Sequence, residues 1–211
     1  MGYKPLVGKN QEPNNTIQTR TKNQRLKIKR KKIDSAAHLL FIYYFLIFVW
    51  FLVLILIVKC MLFIASDHGG FELKEEIKRF LEEQAIPHTD LGPESLNPND
   101  DYPDFAIAMG LKISADPLGS KGILLCRSGQ GVNIVANKFP HVRAALVWNE
   151  KEAVASRTDD LANVLSIPTD YITPDEARNV IKTWLNTPLG KEDRHMRRVA
   201  KIDELEGKLY K

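Results

Sequence analysis

The chain has 211 residues, 44% of them hydrophobic and 27% charged, which is enough apolar material for one ordinary domain with further segments outside it. Two cysteines exclude a disulfide framework, so the composition does not point to an oxidising compartment. Residues 1–35 carry ten Lys or Arg against two acidic residues, whereas residues 61–211 carry 19 Lys or Arg against 24 Asp or Glu. The net charge of +4 therefore belongs to the tail, and the globular part lacks the positive charge of a nucleic-acid-binding protein.

A polar, basic tail precedes a long apolar run. Residues 1–35 show no apolar periodicity, which predicts a disordered tail. Residues 39–58 are twenty consecutive uncharged positions, the length that a helix needs to cross the hydrocarbon core of a bilayer. Residues 36–60 are therefore interpreted as a transmembrane helix. The positive-inside rule would place the N-terminus in the cytoplasm and everything after residue 60 outside.

The apolar run ends only three residues before a segment with the pattern of a buried strand. Met61–Ala65 is apolar, breaks at polar residues and glycines, and is followed by a helical pattern. A membrane span joined to a central strand without a linker is sterically awkward. We therefore favour the hypothesis that residues 1–60 are an upstream in-frame translation and that the working protein is a cytoplasmic domain of residues 61–211. A membrane-anchored protein is the alternative.

The rest of the chain alternates short apolar segments with helical patterns. Strands are predicted at Met61–Ala65, Pro87–Leu91, Lys121–Cys126, Arg143–Val147 and Val164–Ile167. Helices are predicted at Phe71–Gln84, Phe105–Ala115, Gly131–Asn137, Glu150–Arg157, Pro174–Leu185 and, as a final amphipathic segment, Lys191–Leu209. This alternation predicts a Rossmann-like three-layer α/β sandwich around a five-stranded parallel sheet. Ligands bind such sheets at the carboxyl ends of the strands.

Cys126 closes the third strand and opens a turn that contains Gly129 and Gly131. A thiol among the backbone N–H groups of a helix N-terminus has a lowered pKa, which would make Cys126 a base. The same N–H groups could hold an anion or a developing enediolate. A buried structural cysteine in an ordinary strand-to-helix turn is the alternative.

Polar residues next to two other strands are candidates for the same site. Asp67 and His68 follow the first strand and could bind a hydroxyl and a phosphate. Residues 157–160 precede the fifth strand, and we expect the three segments to converge on one edge of the sheet. Arg194 and Arg198 are four residues apart, so on a helix they share a face and could hold one phosphate. A solvated basic face is the alternative for these two arginines.

Together the motifs resemble one family, the ribose-5-phosphate isomerase B family, which includes the galactose-6-phosphate isomerase subunits. The resemblance extends from about Met61 to Glu206. The motifs that carry it are, in chain order, Ser66-Asp67-His68-Gly69-Gly70-Phe71-Glu72-Leu73-Lys74, Asp101-Tyr102-Pro103, Gly122-Ile123-Leu124-Leu125-Cys126 with Ser128-Gly129 and Ala136-Asn137-Lys138, Arg143-Ala144-Ala145, Ala162-Asn163-Val164-Leu165, and Arg194-His195 with Arg198-Val199-Ala200-Lys201-Ile202.

The resemblance implies an aldose–ketose isomerase of a phosphorylated sugar, above all of ribose 5-phosphate and ribulose 5-phosphate, that works through a cis-enediolate without a metal or an organic cofactor. It implies a homodimer, or a tetramer, with active sites shared across the interface. Cys126 matches the base that moves the proton between C1 and C2, and Ser128 matches a hydroxyl that assists it. The matching substrate contacts are Asp67 for sugar hydroxyls, His68, Arg194 and Arg198 for the phosphate, Tyr102 from the partner subunit, and an anion hole of Arg127, Gly129, Gln130, Gly131, Val132 and Asn133.

The sequence departs from the family pattern at three places. Asp159 and Asp160 stand where the family has His-Asn, whose His opens the furanose ring. The Asp159 carboxylate could still act as a general acid or base. Arg127 replaces a glycine after the catalytic cysteine, and Asp170 stands where some members place a substrate-binding arginine. These departures leave two alternatives open, an isomerase for a different or open-chain phosphosugar and a membrane-tethered phosphosugar-binding module without catalysis. A redox role for Cys126 is a third.

Overall fold

The computed structural model describes residues 43–50 and 61–210. Residues 43–50 are helical. The predicted tail and most of the predicted transmembrane run lie outside the described residues, so both stay predictions, as does the upstream translation of residues 1–60. No helix among the described residues is long and apolar enough to cross a membrane. Residues 61–210 belong to one compact unit.

Five parallel strands form a single sheet in that unit. The strands are β1 (Met61–Ser66), β2 (His88–Asp90), β3 (Ser120–Cys126), β4 (Ala144–Leu146) and β5 (Val164–Pro168). Their order is β2-β1-β3-β5-β4, which confirms the predicted five-stranded parallel sheet. β2 and β4 are three residues long rather than the five predicted. Both are edge strands that pair on one side only, so their ladders end sooner.

Residues 61–210 contain six α-helices besides the strands. They are α1 (Phe71–Glu83), α2 (Tyr102–Ala115), α3 (Gln130–Ala136), α4 (Glu150–Thr158), α5 (Pro174–Asn186) and α6 (Asp193–Leu209). α2 begins three residues earlier than predicted because Pro103 occupies its first turn, where a missing N–H breaks no helical hydrogen bond. A capping box precedes α5, since the Thr173 hydroxyl accepts from the Glu176 N–H at 3.4 Å and the Glu176 carboxylate accepts from the Thr173 N–H at 2.9 Å.

Helices cover both faces of the sheet, which confirms the three-layer arrangement. Apolar residues of α1, α4 and α5 pack on one face in a core that includes the fully buried Trp184. Residues of α2 and α3 pack on the other face around Met109 and Val132. The central strand β3 contributes to both cores, through Leu125 on the first and Cys126 on the second.

The strand register decides which segments share an edge of the sheet. Ser66 of β1 lies beside Leu125, and Cys126 lies beside Pro168 of β5. The residues after β1, β3 and β5 therefore meet at the carboxyl edge, which is the side of the sheet formed by the carboxyl ends of the strands. Val164, the first residue of β5, lies beside Gly122, so the segment that precedes β5 lies at the opposite edge.

Candidate active site

Cys126 is the last residue of β3, and it is 5% exposed. Its Sγ accepts a hydrogen bond from the Gly129 N–H at 3.2 Å. Gly129 has a φ of 69°, and a Cβ there would lie 2.3 Å from Cδ1 of Leu146. Both the left-handed backbone and the close approach require glycine, so Gly129 lets the chain fold back onto the thiol.

The pKa of the Cys126 thiol is raised. Burial is the largest cause, and the negative charge of Asp67 adds to it. The backbone N–H groups of Val132, Gly129 and Ser128 lower the pKa, as expected for a thiol in this turn, but they do not outweigh burial. The prediction of a lowered thiol pKa is therefore wrong, because the strand places the sulfur inside the domain.

Asp67 follows β1 on the same edge of the sheet, and it is 7% exposed. Its carboxylate accepts from the Gly70 N–H at 3.0 Å. Burial raises the pKa of Asp67, the charge of Asp100 raises it further, and the Gly70 hydrogen bond and the neighbouring His68 oppose the rise. A carboxylate desolvated in this way is suited to hydrogen bonding with sugar hydroxyls.

Asp100 binds His68 and was not predicted from the sequence. Its Oδ1 lies 2.6 Å from Nδ1 of His68 and also accepts the His68 backbone N–H at 3.0 Å. Asp100 belongs to the loop that precedes α2, next to the Asp101-Tyr102-Pro103 motif. The available signal was a second carboxylate in that turn, since carboxylates in loops commonly bind backbone N–H groups.

The other residues of the predicted anion hole lie around this cluster. A Cβ on Gly69 would lie 2.5 Å from Cγ of Arg127, so the Arg127 side chain covers the turn after β1. A Cβ on Gly131 would lie 2.6 Å from Cε2 of Tyr102, which places the tyrosine ring against the turn of its own chain. The exposed Ser128 hydroxyl accepts from the Gln130 N–H at 3.3 Å.

A pocket of about 450 Å³ opens beside this turn. Trp148 and Tyr171, both more than half exposed, belong to its wall. Neither aromatic residue was identified from the sequence, because the segments after β4 and β5 carry no recognised motif. The lining residues are Ser128, Gln130, Leu146, Trp148, Pro168 and Tyr171.

Asp159 lies away from Cys126 within the chain. It caps the C-terminus of α4 ahead of β5, so the strand register places it at the opposite edge of the sheet. The expectation that residues 157–160 converge with the other two segments is therefore wrong for a single chain. Residues that follow parallel strands share an edge, whereas residues that precede a strand lie at the other end.

The predicted phosphate contacts of α6 lie on the side of Asp159. Oδ1 of Asp159 is 3.4 Å from Nδ1 of His195, which is 3% exposed. The separation is too long and too poorly aligned for a hydrogen bond, and this buried nitrogen has no hydrogen-bond partner. Arg194 is exposed and pairs with Glu192 at 2.9 Å.

The site residues predicted from the sequence thus form two groups. The strand-end group, around Cys126, contains Asp67, His68, Tyr102, Arg127, Ser128, Gly129, Gln130, Gly131, Val132 and Asn133. The α6 group contains Asp159, Asp160, Arg194 and Arg198, and the last of these is exposed in the second turn of α6. Residues 43–50 and 61–210 contain no cluster of three or more His, Cys, Asp or Glu that could hold a metal ion.

Comparisons with known proteins cover the same region. A family model described as Ribose/Galactose Isomerase matches residues 62–202. The ribose-5-phosphate isomerase B of Mycolicibacterium paratuberculosis is 39% identical over 144 residues, which are 68% of this chain and 90% of that protein. The crystal structure of ribose-5-phosphate isomerase B from Mycoplasma genitalium with bound ribulose-5-phosphate is 39% identical, with a TM-score of 0.67, over 70% of this chain and 96% of that chain. A structure of the Clostridium thermocellum enzyme of the same name is 36% identical, with a TM-score of 0.66, over 71% and 99%.

Proposed function

We propose, from the premise that this chain belongs to the Ribose/Galactose Isomerase family, that it interconverts ribose 5-phosphate and ribulose 5-phosphate. The matched region spans nearly the whole length of the relatives, and their names favour an isomerase over a binding module without catalysis. The observation that carries the proposal is Cys126, buried at the end of β3 beside a carboxylate and a turn of backbone N–H groups.

Cys126 acts as the base. Its thiolate removes the proton from C2 of the open-chain aldose phosphate, and the electron pair moves through C1 to the carbonyl oxygen, which gives a cis-enediolate. The thiol then returns the proton to C1, the carbonyl forms at C2, and the ketose phosphate results. Ser128 assists the proton transfer between the two oxygens.

The turn after β3 stabilises the negative charge of the enediolate. Backbone N–H groups of residues 127–133 donate toward the charge that develops on the substrate oxygens. The N–H groups of Val132, Gly129 and Ser128 also lower the pKa of the Cys126 thiol, so the turn stabilises the thiolate as well as the enediolate. Asp67 binds sugar hydroxyls, and Tyr102 lines the site.

A homodimer explains why the site residues form two groups. In one chain the α6 group and Cys126 lie at opposite edges of the sheet, so no phosphate contact of α6 reaches the thiol. In a symmetric dimer the α6 group of one copy can meet the strand-end group of the other. Arg194 and Arg198 of one copy would then bind the phosphate of a sugar held at the partner copy's thiol. A tetramer built from two such dimers preserves the same contact.

Ring opening is assigned to Asp159. Its carboxylate takes the place of the family histidine and can exchange a proton with the ring oxygen and the anomeric hydroxyl. The second candidate is an isomerase for an open-chain phosphosugar, which this replacement favours. Erythrose 4-phosphate, which closes no stable furanose phosphate, separates the two. Turnover of ribose 5-phosphate that clearly exceeds turnover of erythrose 4-phosphate supports ring opening by the enzyme, and the reverse supports the second candidate.

The function is tested by assaying the purified full chain with ribose 5-phosphate, erythrose 4-phosphate and galactose 6-phosphate. We expect ketose formation from ribose 5-phosphate, with solvent deuterium incorporated at the exchanged carbon in D₂O. Binding of these sugars without turnover would instead identify a module without catalysis.

A further inference from the structure

The carboxylate of Asp100 is buried and accepts hydrogen bonds from two atoms of one residue, His68. The Asp100 side chain is 7% exposed. Oδ1 accepts both Nδ1 and the backbone N–H of His68, at 2.6 Å and 3.0 Å. Oδ2 is buried without a hydrogen-bond partner. The carboxylate therefore directs its hydrogen bonding to His68.

The loop that carries Asp100 is anchored to α1 at its start. Lys74 of α1 is fully buried, and its ammonium donates to Asp90 at 2.8 Å and to the Pro93 carbonyl at 2.9 Å. The Asp100 N–H in turn donates to the Asn97 carbonyl at 3.2 Å. The anchor at Pro93, the turn at Asn97–Asp100 and the hydrogen bond from the His68 N–H therefore order Asp100 without a bound substrate.

We propose that Asp100 is a positioning residue that fixes the His68 imidazole for recognition of the substrate phosphate. A carboxylate only accepts hydrogen bonds, so the contact assigns a hydrogen to Nδ1 and leaves Nε2 as the nitrogen available to a ligand. The side chain of His68 is one-third exposed, so the ring is open to a ligand while Nδ1 is restrained by Asp100. The inference rests on the proposed function, in which His68 contacts the phosphate.

The test compares four variants of the full chain, Asp100→Ala, Asp100→Asn, His68→Asn and the double variant of Asp100→Ala with His68→Asn. KM and kcat are measured with ribose 5-phosphate, and inorganic phosphate is the competing probe. Asp100→Ala is expected to raise KM and the inhibition constant of phosphate about tenfold or more, the effect of losing a hydrogen bond to a charged group, with a smaller change in kcat. Asp100→Asn keeps an acceptor for Nδ1 and is expected to restore part of the affinity.

The double variant gives the sharpest outcome. Because Asp100 acts through His68, the double variant is expected to bind phosphate as weakly as His68→Asn alone. If the losses of phosphate affinity in the two single variants add up in the double variant, the inference is overturned. It is also overturned if Asp100→Ala lowers the melting temperature and leaves phosphate inhibition unchanged, because Asp100 would then be a structural residue only. Asp104→Asn, an exposed site in the first turn of α2, removes the same charge and is the control for folding.

The outcomes also separate this inference from the proposed function. If His68→Asn binds phosphate more weakly while Asp100→Ala binds it as the wild type does, the positioning role is overturned and the isomerase proposal stands. If His68→Asn binds phosphate as the wild type does, His68 is not a phosphate contact and the inference fails. If the wild type shows no turnover, phosphate binding measured by calorimetry on the same four variants still decides whether the pair acts together.

Discussion

The charge of Asp67, which follows β1, raises the pKa of the Cys126 thiol at the end of β3. Burial raises the pKa more than Asp67 does, and three backbone N–H groups oppose both effects. The raised pKa therefore favours the thiol form of Cys126 at neutral pH. The carboxylate that we propose to bind the sugar therefore also disfavours the reactive thiolate form of the free cysteine.

This coupling predicts the pH dependence of Cys126 alkylation. In a Cys60→Ser background, the rate with iodoacetamide should rise with a midpoint above the ordinary cysteine value of about 8.5. Asp67→Asn should shift the midpoint to lower pH, because it removes a charge that disfavours the thiolate. Asp104→Asn should leave the midpoint unchanged. A wild-type midpoint below neutral pH would contradict a pKa raised by burial of this thiol.

Gly129→Ala should destabilise the protein and reduce its activity together. A left-handed residue other than glycine costs roughly 1–2 kcal/mol, and the new Cβ would contact Leu146 and Pro168. Displacement of the turn would also remove the N–H that binds Sγ of Cys126. Gly207→Ala is the matched control, because a Cβ at this position in α6 meets no atom within 4 Å. Urea denaturation should show a lower free energy of unfolding for Gly129→Ala and no decrease for Gly207→Ala.

Because Lys74 is buried, replacing Asp90 should destabilise the protein more than replacing Lys74. Asp90→Asn leaves a fully buried ammonium without its closest charged partner, which costs about 3–5 kcal/mol when a buried pair is broken. Lys74→Met removes the buried charge, and Asp90 keeps Lys78 at 2.8 Å. Thermal or urea unfolding should therefore show that Asp90→Asn is less stable than Lys74→Met. The opposite order would show that the loop depends on the lysine rather than on the balance of charge.

Asp90 should also contribute to stability against acid. Burial acts to raise the pKa of its carboxyl group, but hydrogen bonds from Lys74, Lys78 and the Gly92 N–H lower it overall. A carboxyl group with a lowered folded-state pKa stabilises the protein fully above its unfolded value, near about 3.9. That contribution is lost as the pH falls through the folded-state pKa. The fall in stability between pH 5 and pH 3 should be smaller for Asp90→Asn than for the wild type.

Shared active sites predict complementation between inactive variants. Cys126→Ala lacks the base, and a variant with both Arg194→Ala and Arg198→Ala lacks the phosphate contacts. In a mixed dimer with sites built from both copies, one site recovers every residue, so random mixing should restore about a quarter of the wild-type sites. The two variants are unfolded together, refolded as a mixture and assayed. Activity no greater than that of the separate variants would mean that each site belongs to one chain.

The sheet was predictable because its strands are short apolar runs bounded by glycines and polar residues. β1 and β3 are buried on both faces, so their sequences carry an unambiguous signal. The limits of β2 and β4 were not predictable, since edge position is a property of the strand order and not of the local sequence. The strand-end group followed from one rule, that residues after parallel strands share an edge.

The rest of the site depended on tertiary contacts. The pKa of Cys126 was predicted in the wrong direction because the motif shows the nearby N–H groups and does not show the depth of the sulfur. Asp100 was missed because its partner, His68, is 32 residues away in the chain. The location of Asp159 needed the strand register, and only that register reveals that the predicted site is divided between two edges of the sheet.

The central claim is that Cys126 removes and returns the substrate proton. The most direct measurement is the incorporation of solvent deuterium into ribulose 5-phosphate in D₂O by wild type and Cys126→Ala, since this exchange needs the base and does not need ring opening. The account predicts rapid exchange by wild type and a loss of about a thousandfold or more in Cys126→Ala, with the fold retained. Exchange at the wild-type rate by Cys126→Ala would contradict the assignment of this thiol as the base.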